Sequence, residues 1–476
     1  MSAWWKRGIC ALLVAGMALT ACACKGGGSA SGGGAADIQP MEGETPEKLD
    51  GYEFKVVDLH DTRWNRENSG TPYYDAWQQV LDEVETLYDC KISLETASPD
   101  ELFTRMQPEV MAGGEYANIV CTTQWAYGRL IGGDLVMDLN ELEVNWDNPW
   151  WNQSIRQIST VQGKTYAANG SFIFDASSTY MLYYNEDIWK ELKLPDPYEI
   201  VNSGKWTMDK FMEYAKMANR DDDHSGAMDS ESDRWGVATP DGDFCRALFM
   251  GMGGSYFSTN DQGRVVLACN NNRSYDIVEK MQKMVKQDKS ICTLTGSEWT
   301  KVLSLFTSGH ALFLGNSPGV QDLKDCEFDW GVMPMPKLNE EQEEYTSCVD
   351  HNSVVFGVPR TNTHRHETSV LLEALGRHAQ LLEDIYWPDY DTTYWRHPEQ
   401  DSQIIADYVA HHGRYDIGNI MKNCTATFGT PDSVVFSCVF GGGSDYASTM
   451  QAAEDAINYT INEFFNYEDT TETDAA

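Results

Sequence analysis

The stretch from Tyr180 to Ala218 restricts the fold of this chain more than any other. It opens on Tyr180-Met181-Leu182-Tyr183-Tyr184, a β-favouring run. Ile188 and Leu192 then fall four apart and Trp189 and Leu192 three apart, the spacing of one helical face. Pro195 and Pro197 predict an extended break, because neither a proline nor the residue before it sits well inside a helix. Thr207 is placed to cap a second helix, with Asp209 in its first turn where the dipole favours an acid. Met208, Phe211, Met212 and Ala215 occupy i, i+3, i+4 and i+7, which predicts one buried face. Strand, helix, loop and helix in this order belong to an α/β domain.

The residues before this stretch repeat the alternation. Tyr52 to Leu59 reads as a strand, and Tyr74 to Tyr88 as a helix with Trp77, Val80, Leu81, Val84 and Leu87 on one stripe. Cys90 to Leu94 is a second strand, Glu101 to Met111 a helix stopped by Gly113-Gly114, and Asn118 to Cys121 a third strand. Such alternation predicts a mostly parallel sheet with right-handed crossovers. At 476 residues the chain is too long for one core, so two lobes are expected. Further on, helices are expected over Tyr275 to Gln287, Ser297 to Ser308, Glu367 to Leu382 and Met450 to Phe465. No internal repeat is found.

Several segments, taken in order, resemble a known family. Tyr183-Tyr184-Asn185 with Asp187 and Trp189, then Leu194-Pro195 with Pro197, then Trp206-Thr207 with Phe211 and Tyr214-Ala215 form its signature segment. Gly163 to Ala167, Ala247 to Phe257, Gly309 to Gly315, Trp330 to Pro336, His351 to Pro359 and Arg414 to Gly418 match other parts of the pattern. Together they resemble the family 1 extracellular solute-binding proteins, receptors of ABC importers that carry mostly sugars and oligosaccharides. The resemblance implies a two-lobe, periplasmic-binding-protein-like fold of type II, with three crossover strands and a ligand held between the lobes. Residues 51–168 with 337–385 would form one lobe, and 169–336 with 386–466 the other. The crossovers are expected after Gly163 to Ala167, at Trp330 to Pro336, and near residues 383–395. Binding rather than catalysis is implied, by a monomer whose partner is an ABC permease and which requires no cofactor.

The candidate ligand residues follow from this reading. In open parallel sheets, ligands gather where strands end at their carboxyl side. The turn Thr122 to Tyr127 follows the third strand and carries Trp125 and Tyr127. Trp125 either stacks on a sugar ring or packs between loops. Tyr180 lies at the first crossover, and Gly254, Ser255 and Tyr256 lie in the segment where glycines let backbone approach a ligand. Asn316 and Ser317 end the strand Gly309 to Gly315. Trp387 and Trp395 belong to an aromatic-rich stretch that serves either as cleft platforms or as core. Asp221, Asp223, Ser225, the Ala227 carbonyl and Asp229 match positions 1, 3, 5, 7 and 9 of a calcium loop with Gly226 at its turn. Position 12 is Ser232 rather than Glu, so a structural calcium competes with a plain acidic surface loop.

Enzymatic readings are weaker. Gly315-Asn316-Ser317-Pro318-Gly319 matches a nucleophile elbow, G-x-S-x-G. The residue after the serine must donate its backbone N–H to an oxyanion, and Pro318 has none. A secreted glycoside hydrolase, working with two carboxylates, remains the alternative from another class. Among 73 acidic residues no pair stands out by spacing.

Charge and export complete the reading. The net charge of −38 argues against nucleic acid or anionic ligands as partners. Lys6-Arg7 precede an apolar run, Ile9 to Ala21, too short to span a membrane. Leu19-Thr20-Ala21-Cys22 matches a lipobox, so residues 1–21 are expected to be a lipoprotein signal and Cys22 the lipidated residue, with an ordinary secretory signal as the alternative. Residues 22–50 are expected to be a flexible tether and 467–476 an acidic tail, which places the protein on the outer face of the cell membrane. Nine scattered cysteines remain in the body, an odd number with no CxxC spacing, which fits buried thiols better than a disulfide framework.

Overall fold

The computed structural model describes residues 38–59, 64, 72–173, 178–228, 233–294, 299–316, 323, 326–385, 397–409, 412–443 and 445–467. The leader and Cys22 lie outside these residues, as do Asp229, Ser317, Trp387, Trp395 and the stretch 386–396 where the third crossover is expected. Met1–Gln39 and Pro40–Ala476 are separate units, and everything below concerns the second.

Two sheets organise it. The first has the order Val354–Gly357, Ile119–Thr123, Tyr52–Asp58, Cys90–Thr96. Tyr52–Asp58 runs parallel to both neighbours, with Tyr52 opposite Cys90 and Val56 opposite Ile119, while Val354–Gly357 is antiparallel to Ile119–Thr123. The second has the order Ile291–Leu294, Trp235–Pro240, Ala311–Asn316, Met181–Asn185, Trp330–Met333. Its first two pairings are parallel and the two made by Met181–Asn185 are antiparallel. Both sheets are therefore mixed. Their antiparallel members, Met181–Asn185 and Val354–Gly357, follow hinge segments rather than helical crossovers, which frees them from the parallel direction.

The hinge segments pair with one another. Tyr180 N–H donates to the Cys348 carbonyl (2.8 Å) and Asp350 N–H to the Ser178 carbonyl (2.6 Å), while Ser347–Cys348 runs parallel to Gly413–Arg414. Gly413 permits this approach, since a Cβ there would lie 2.7 Å from the Val349 side chain.

Local structure follows the sequence with two instructive exceptions. Met208, Phe211, Met212 and Ala215 are all buried on the helix Met208–Ala218, under the fully buried Trp206. The expected break at Pro197 is instead the start of a short helix, Pro197–Asn202, capped by Asp196 onto Glu199 N–H (2.9 Å). A proline in the first helical position has no N–H to lose, so the residue that breaks a helix interior begins one here. The turn Thr122 to Tyr127 is likewise the start of a helix, Gln124–Gly132. The nine body cysteines carry thiols, most of them buried, and no disulfide joins them.

Pro40 to Leu49, expected within the flexible tether, is bonded to the body. The His378 ring is buried, with one nitrogen 2.9 Å from Glu44 and the other 2.9 Å from Glu83. Tyr88 also donates to Glu44 (2.7 Å), and Leu49 N–H donates to the Tyr88 carbonyl (2.7 Å).

One buried acid makes stability depend on pH. Asp401 is fully buried under the second sheet, accepting from Val332 N–H (3.2 Å) and the Tyr198 hydroxyl (3.0 Å). Burial pushes its carboxyl up to about 7 from an ordinary 3.8. A raised acid stabilises the fold below its unfolded value, and that contribution fades as pH rises from 3.8 through about 7. The gap corresponds to about 4 kcal/mol at most. Asp401→Asn is therefore expected to gain stability relative to the parent between pH 5 and 8, read as diverging urea midpoints. Parallel pH profiles of the two proteins would contradict the assignment.

Candidate functional site

Strand ends bring the site together. The helix Gln124–Gly132 starts at the carboxyl end of Ile119–Thr123, and Asp241–Gly251 starts at the end of Trp235–Pro240. Between them runs the loop Asp350 to Ser353, which leaves the hinge and enters the strand Val354–Gly357. Gln124 N–H donates to the Ser353 carbonyl (3.0 Å) and Trp125 N–H to the His351 carbonyl (3.2 Å). The Gln124 amide also donates to Ser353 Oγ and to the Asp350 carbonyl. The partly buried Trp125 ring donates from Nε1 to Asn352 Oδ1 (3.0 Å).

An arginine carries the contact onward. Arg246, with its side chain only 6% exposed, donates from Nη1 to Asp243 Oδ1 (2.9 Å) and from Nη2 to Asp432 Oδ2 (3.0 Å). The same Nη1 lies 2.9 Å from His351 Nδ1. Lys422 Nζ reaches Asp432 Oδ2 at 3.1 Å, and its neighbour Asn423 donates to the Trp125 carbonyl (2.7 Å). The contacts thus close a ring: Trp125, the Asp350–Ser353 loop, Arg246, Asp432, Lys422, Asn423 and back to Trp125. It joins the helix following the first sheet to Asp241–Gly251, which follows a strand of the second, and to the segment around the helices Ile417–Met421 and Thr430–Val439.

The electrostatics follow from this arrangement. Burial alone would raise Asp432, but Arg246 and Lys422 pull its carboxyl down to about 2. His351 is lowered by burial and by Arg246, against the opposing pull of Asp350 and Asp243. Burial pushes the Tyr180 hydroxyl up, with Asp350 and Asp243 adding to it. Two bases and three carboxylates share this small volume, so most of the charge is neutralised internally while Asp243, 35% exposed, still faces solvent.

The expected ligand residues divide. Trp125 lies on the ring, and Tyr180 and Tyr256 lie buried beside it, near Asp350 and Asp432 respectively. Tyr127 is instead a core residue, because it is fully buried and its hydroxyl donates to the Tyr166 carbonyl (2.6 Å). A Cβ on Gly357 would stand 1.7 Å from that oxygen, so the tyrosine fills the space a side chain would need. Gly254 packs on the Phe249 ring, and the single Ser255 hydroxyl lies 2.9 Å from Asp416 Oδ2 and 2.8 Å from the Phe257 carbonyl, so both residues are engaged by protein groups. Asn316 ends its strand opposite Met181. The sequence reading missed Asp243, Arg246, Asp350, Asp432 and Lys422 as site residues. One signal was there: a single base inside the apolar run Phe244 to Met250.

The acidic loop is arranged differently from the expected ligand set. Asp221, Asp223 and Asp233 each bring a carboxylate oxygen within 4.8 Å of the others. Ser225 Oγ and the Ala227 carbonyl bond each other (3.0 Å), and Asp221 accepts from Ser225 and Gly226 N–H. Asp233, which the expected set did not include, is fully buried.

Two mixed α/β sheets with paired hinge segments and a polar site between them define a two-lobe solute-binding fold. A profile of the bacterial extracellular solute-binding proteins matches residues 68–380, and the chain belongs to that family. No curated protein sequence matches it. Solved structures do. The galacto-N-biose/lacto-N-biose I-binding protein of Bifidobacterium longum aligns with a TM-score of 0.59 at 11% identity, covering 88% of this chain and 99% of that one. The cyclic α-maltosyl-1,6-maltose binding protein of Arthrobacter globiformis aligns at 0.58 and 13%, covering 87% and 100%. UgpB of Mycobacterium tuberculosis, solved with glycerophosphocholine, aligns at 0.54 and 13%, covering 88% and 99%. At such identities the likeness is one of fold. The family and these neighbours are solute-binding transport proteins, not enzymes. Among the described residues no helix is long and apolar enough to cross a membrane.

Proposed function

We propose that this protein is the lipid-anchored receptor of an ABC importer, capturing a sugar or oligosaccharide between its lobes and handing it unchanged to the permease. The observation that carries the reading is the partly exposed Trp125 ring, whose backbone N–H bonds the His351 carbonyl, on the same ring of contacts as the partly exposed carboxylate of Asp243. An indole face accepts the weakly apolar C–H face of a sugar ring, and carboxylates accept hydroxyl protons. Internal neutralisation of the charges suits a neutral solute. The anchor is Cys22, and the protein acts as a monomer with no catalytic step. In a thermal-shift screen of mono- and oligosaccharides, one sugar is expected to raise the melting temperature, with Trp125→Ala losing that response while keeping its own unliganded melting point. A Trp125→Ala variant that responds like the parent would exclude the stacking role.

A divalent cation on Asp221, Asp223 and Asp233 is a second part of the proposal. Hard carboxylate oxygens suit calcium, and two of the three sit in a loop already folded by their bonds to Ser225 and Gly226 N–H. Millimolar calcium is expected to raise the melting temperature, chelator to reverse the gain, and Asp223→Asn to abolish it. A calcium response that survives in Asp223→Asn would place the ion elsewhere.

A further inference from the structure

We propose that Arg246 is a positioning residue that holds His351 as its Nε2–H tautomer, so that the imidazole offers the bound solute a hydrogen-bond donor. The inference rests on the solute-binding reading only for what accepts that bond, a solute hydroxyl or ring oxygen.

The argument begins with donor count. A guanidinium has five N–H donors and no acceptor, and it stays protonated. The 2.9 Å contact between Arg246 Nη1 and His351 Nδ1 must therefore be donated by the arginine. Nδ1 then contributes its lone pair, and the proton of a neutral ring stands on Nε2. Arg246 is not free to turn away. Asp243 holds Nη1 at 2.9 Å, Asp432 holds Nη2 at 3.0 Å, and Lys422 backs Asp432 at 3.1 Å. The backbone that carries the ring is held as well, because the His351 carbonyl accepts from Trp125 N–H (3.2 Å) and Gln124 pins the Asp350 carbonyl.

Every charged group around the ring bears on its proton. Asp350 Oδ1 lies 3.3 Å and Asp243 Oδ1 3.7 Å from Nδ1, and both would favour a proton there. Arg246 on the same nitrogen opposes it, Lys422 adds to that opposition, and burial disfavours the cation further. The ring thus stays neutral below the pH at which an ordinary histidine charges. The His351 side chain is 18% exposed and that of Asp243 35%, so the neutral ring offers one N–H donor, on Nε2, and Asp243 offers a carboxylate acceptor. A hydroxyl, which donates and accepts at once, satisfies both. An ammonium has nothing to accept the Nε2 proton.

Long-range 1H–15N spectra of the 15N-histidine-labelled mature protein test this directly, with the His351 signals assigned by their loss in His351→Gln. The expected result is a neutral ring protonated on Nε2 whose titration midpoint lies below 6.5. Arg246→Met is expected to move that midpoint upward. It is also expected to weaken solute binding about tenfold at pH 8, where the neutral ring can move its proton to Nδ1 beside Asp350, with a smaller loss at pH 6, where an imidazolium keeps the Nε2–H. A ring protonated on Nδ1, or one that titrates at 6.5 in the parent, overturns the proposal. If Arg246→Met fails to fold, the parent spectrum still decides. The spectrum needs no ligand, so failure to find a sugar would strike the solute assignment and leave this test standing.

Discussion

Arg246→Ala is expected to lower stability by about 3–5 kcal/mol, the cost of breaking a buried ion pair from one side. The variant leaves Asp432 with Lys422 alone and removes the donor that both Asp243 and His351 use. The deficit should also depend on pH. Asp432 is depressed to about 2 from an ordinary 3.8, so it stabilises the fold above 3.8 and loses that contribution as pH falls through 2. Much of the depression comes from Arg246. Urea unfolding at pH 7 should therefore separate parent and variant widely, and the gap should narrow between pH 4 and 2. A loss below about 1 kcal/mol at neutral pH, or a gap unchanged at pH 2, would show that the ring is not held as described.

Asp416→Asn should cost a comparable amount although it keeps size and shape. Asp416 is buried, and its two oxygens accept from Tyr256 N–H (2.6 Å), Gly418 N–H (2.7 Å), Ser255 Oγ (2.9 Å) and Phe257 N–H (3.3 Å). An amide must turn its own N–H₂ toward one of these donor sets, whichever way it flips. Each donor left without an acceptor costs about 1–3 kcal/mol, which sums to about 3–5 kcal/mol here. The effect should spread. Asp416 precedes the helix Ile417–Met421, which packs on Gln124–Gly132, and Cys424 Sγ donates to the Gly128 carbonyl (3.0 Å). Hydrogen exchange in 417–424 should accelerate in the variant, and solute affinity should fall with it because Asn423 no longer steadies Trp125. Protected amides in that segment, with stability within 1 kcal/mol of the parent, would contradict this account.

How far the sequence revealed these features depends on the range of the interactions. Period and punctuation located the strands and the buried face of Met208–Ala218, because those signals lie within a dozen residues. The ordered family segments pointed to the two-lobe fold that the structure and the family match bear out. Trp125 was legible because it follows a strand at its carboxyl end. Tyr127 was misjudged because two residues further on, in a helix rather than a loop, the side chain turns into the core. Arg246, Asp432 and Lys422 were not legible as partners. They are up to 186 residues apart, and only the fold makes them neighbours. Asp233 was passed over because it falls one place beyond the expected twelve-position pattern, although its carboxylate lies near those of Asp221 and Asp223.

The most direct test of the central claim is a thermal-shift screen of the mature protein against neutral mono- and oligosaccharides, followed by recovery of whichever sugar responds. A ligand that binds only the folded state adds RT ln(1 + [L]/Kd), about 2.7 kcal/mol at a hundredfold excess. The account predicts a concentration-dependent rise with one sugar, which is recovered chemically intact. Release of new reducing ends would make the protein a hydrolase, and a flat response across the whole panel would contradict the carbohydrate assignment.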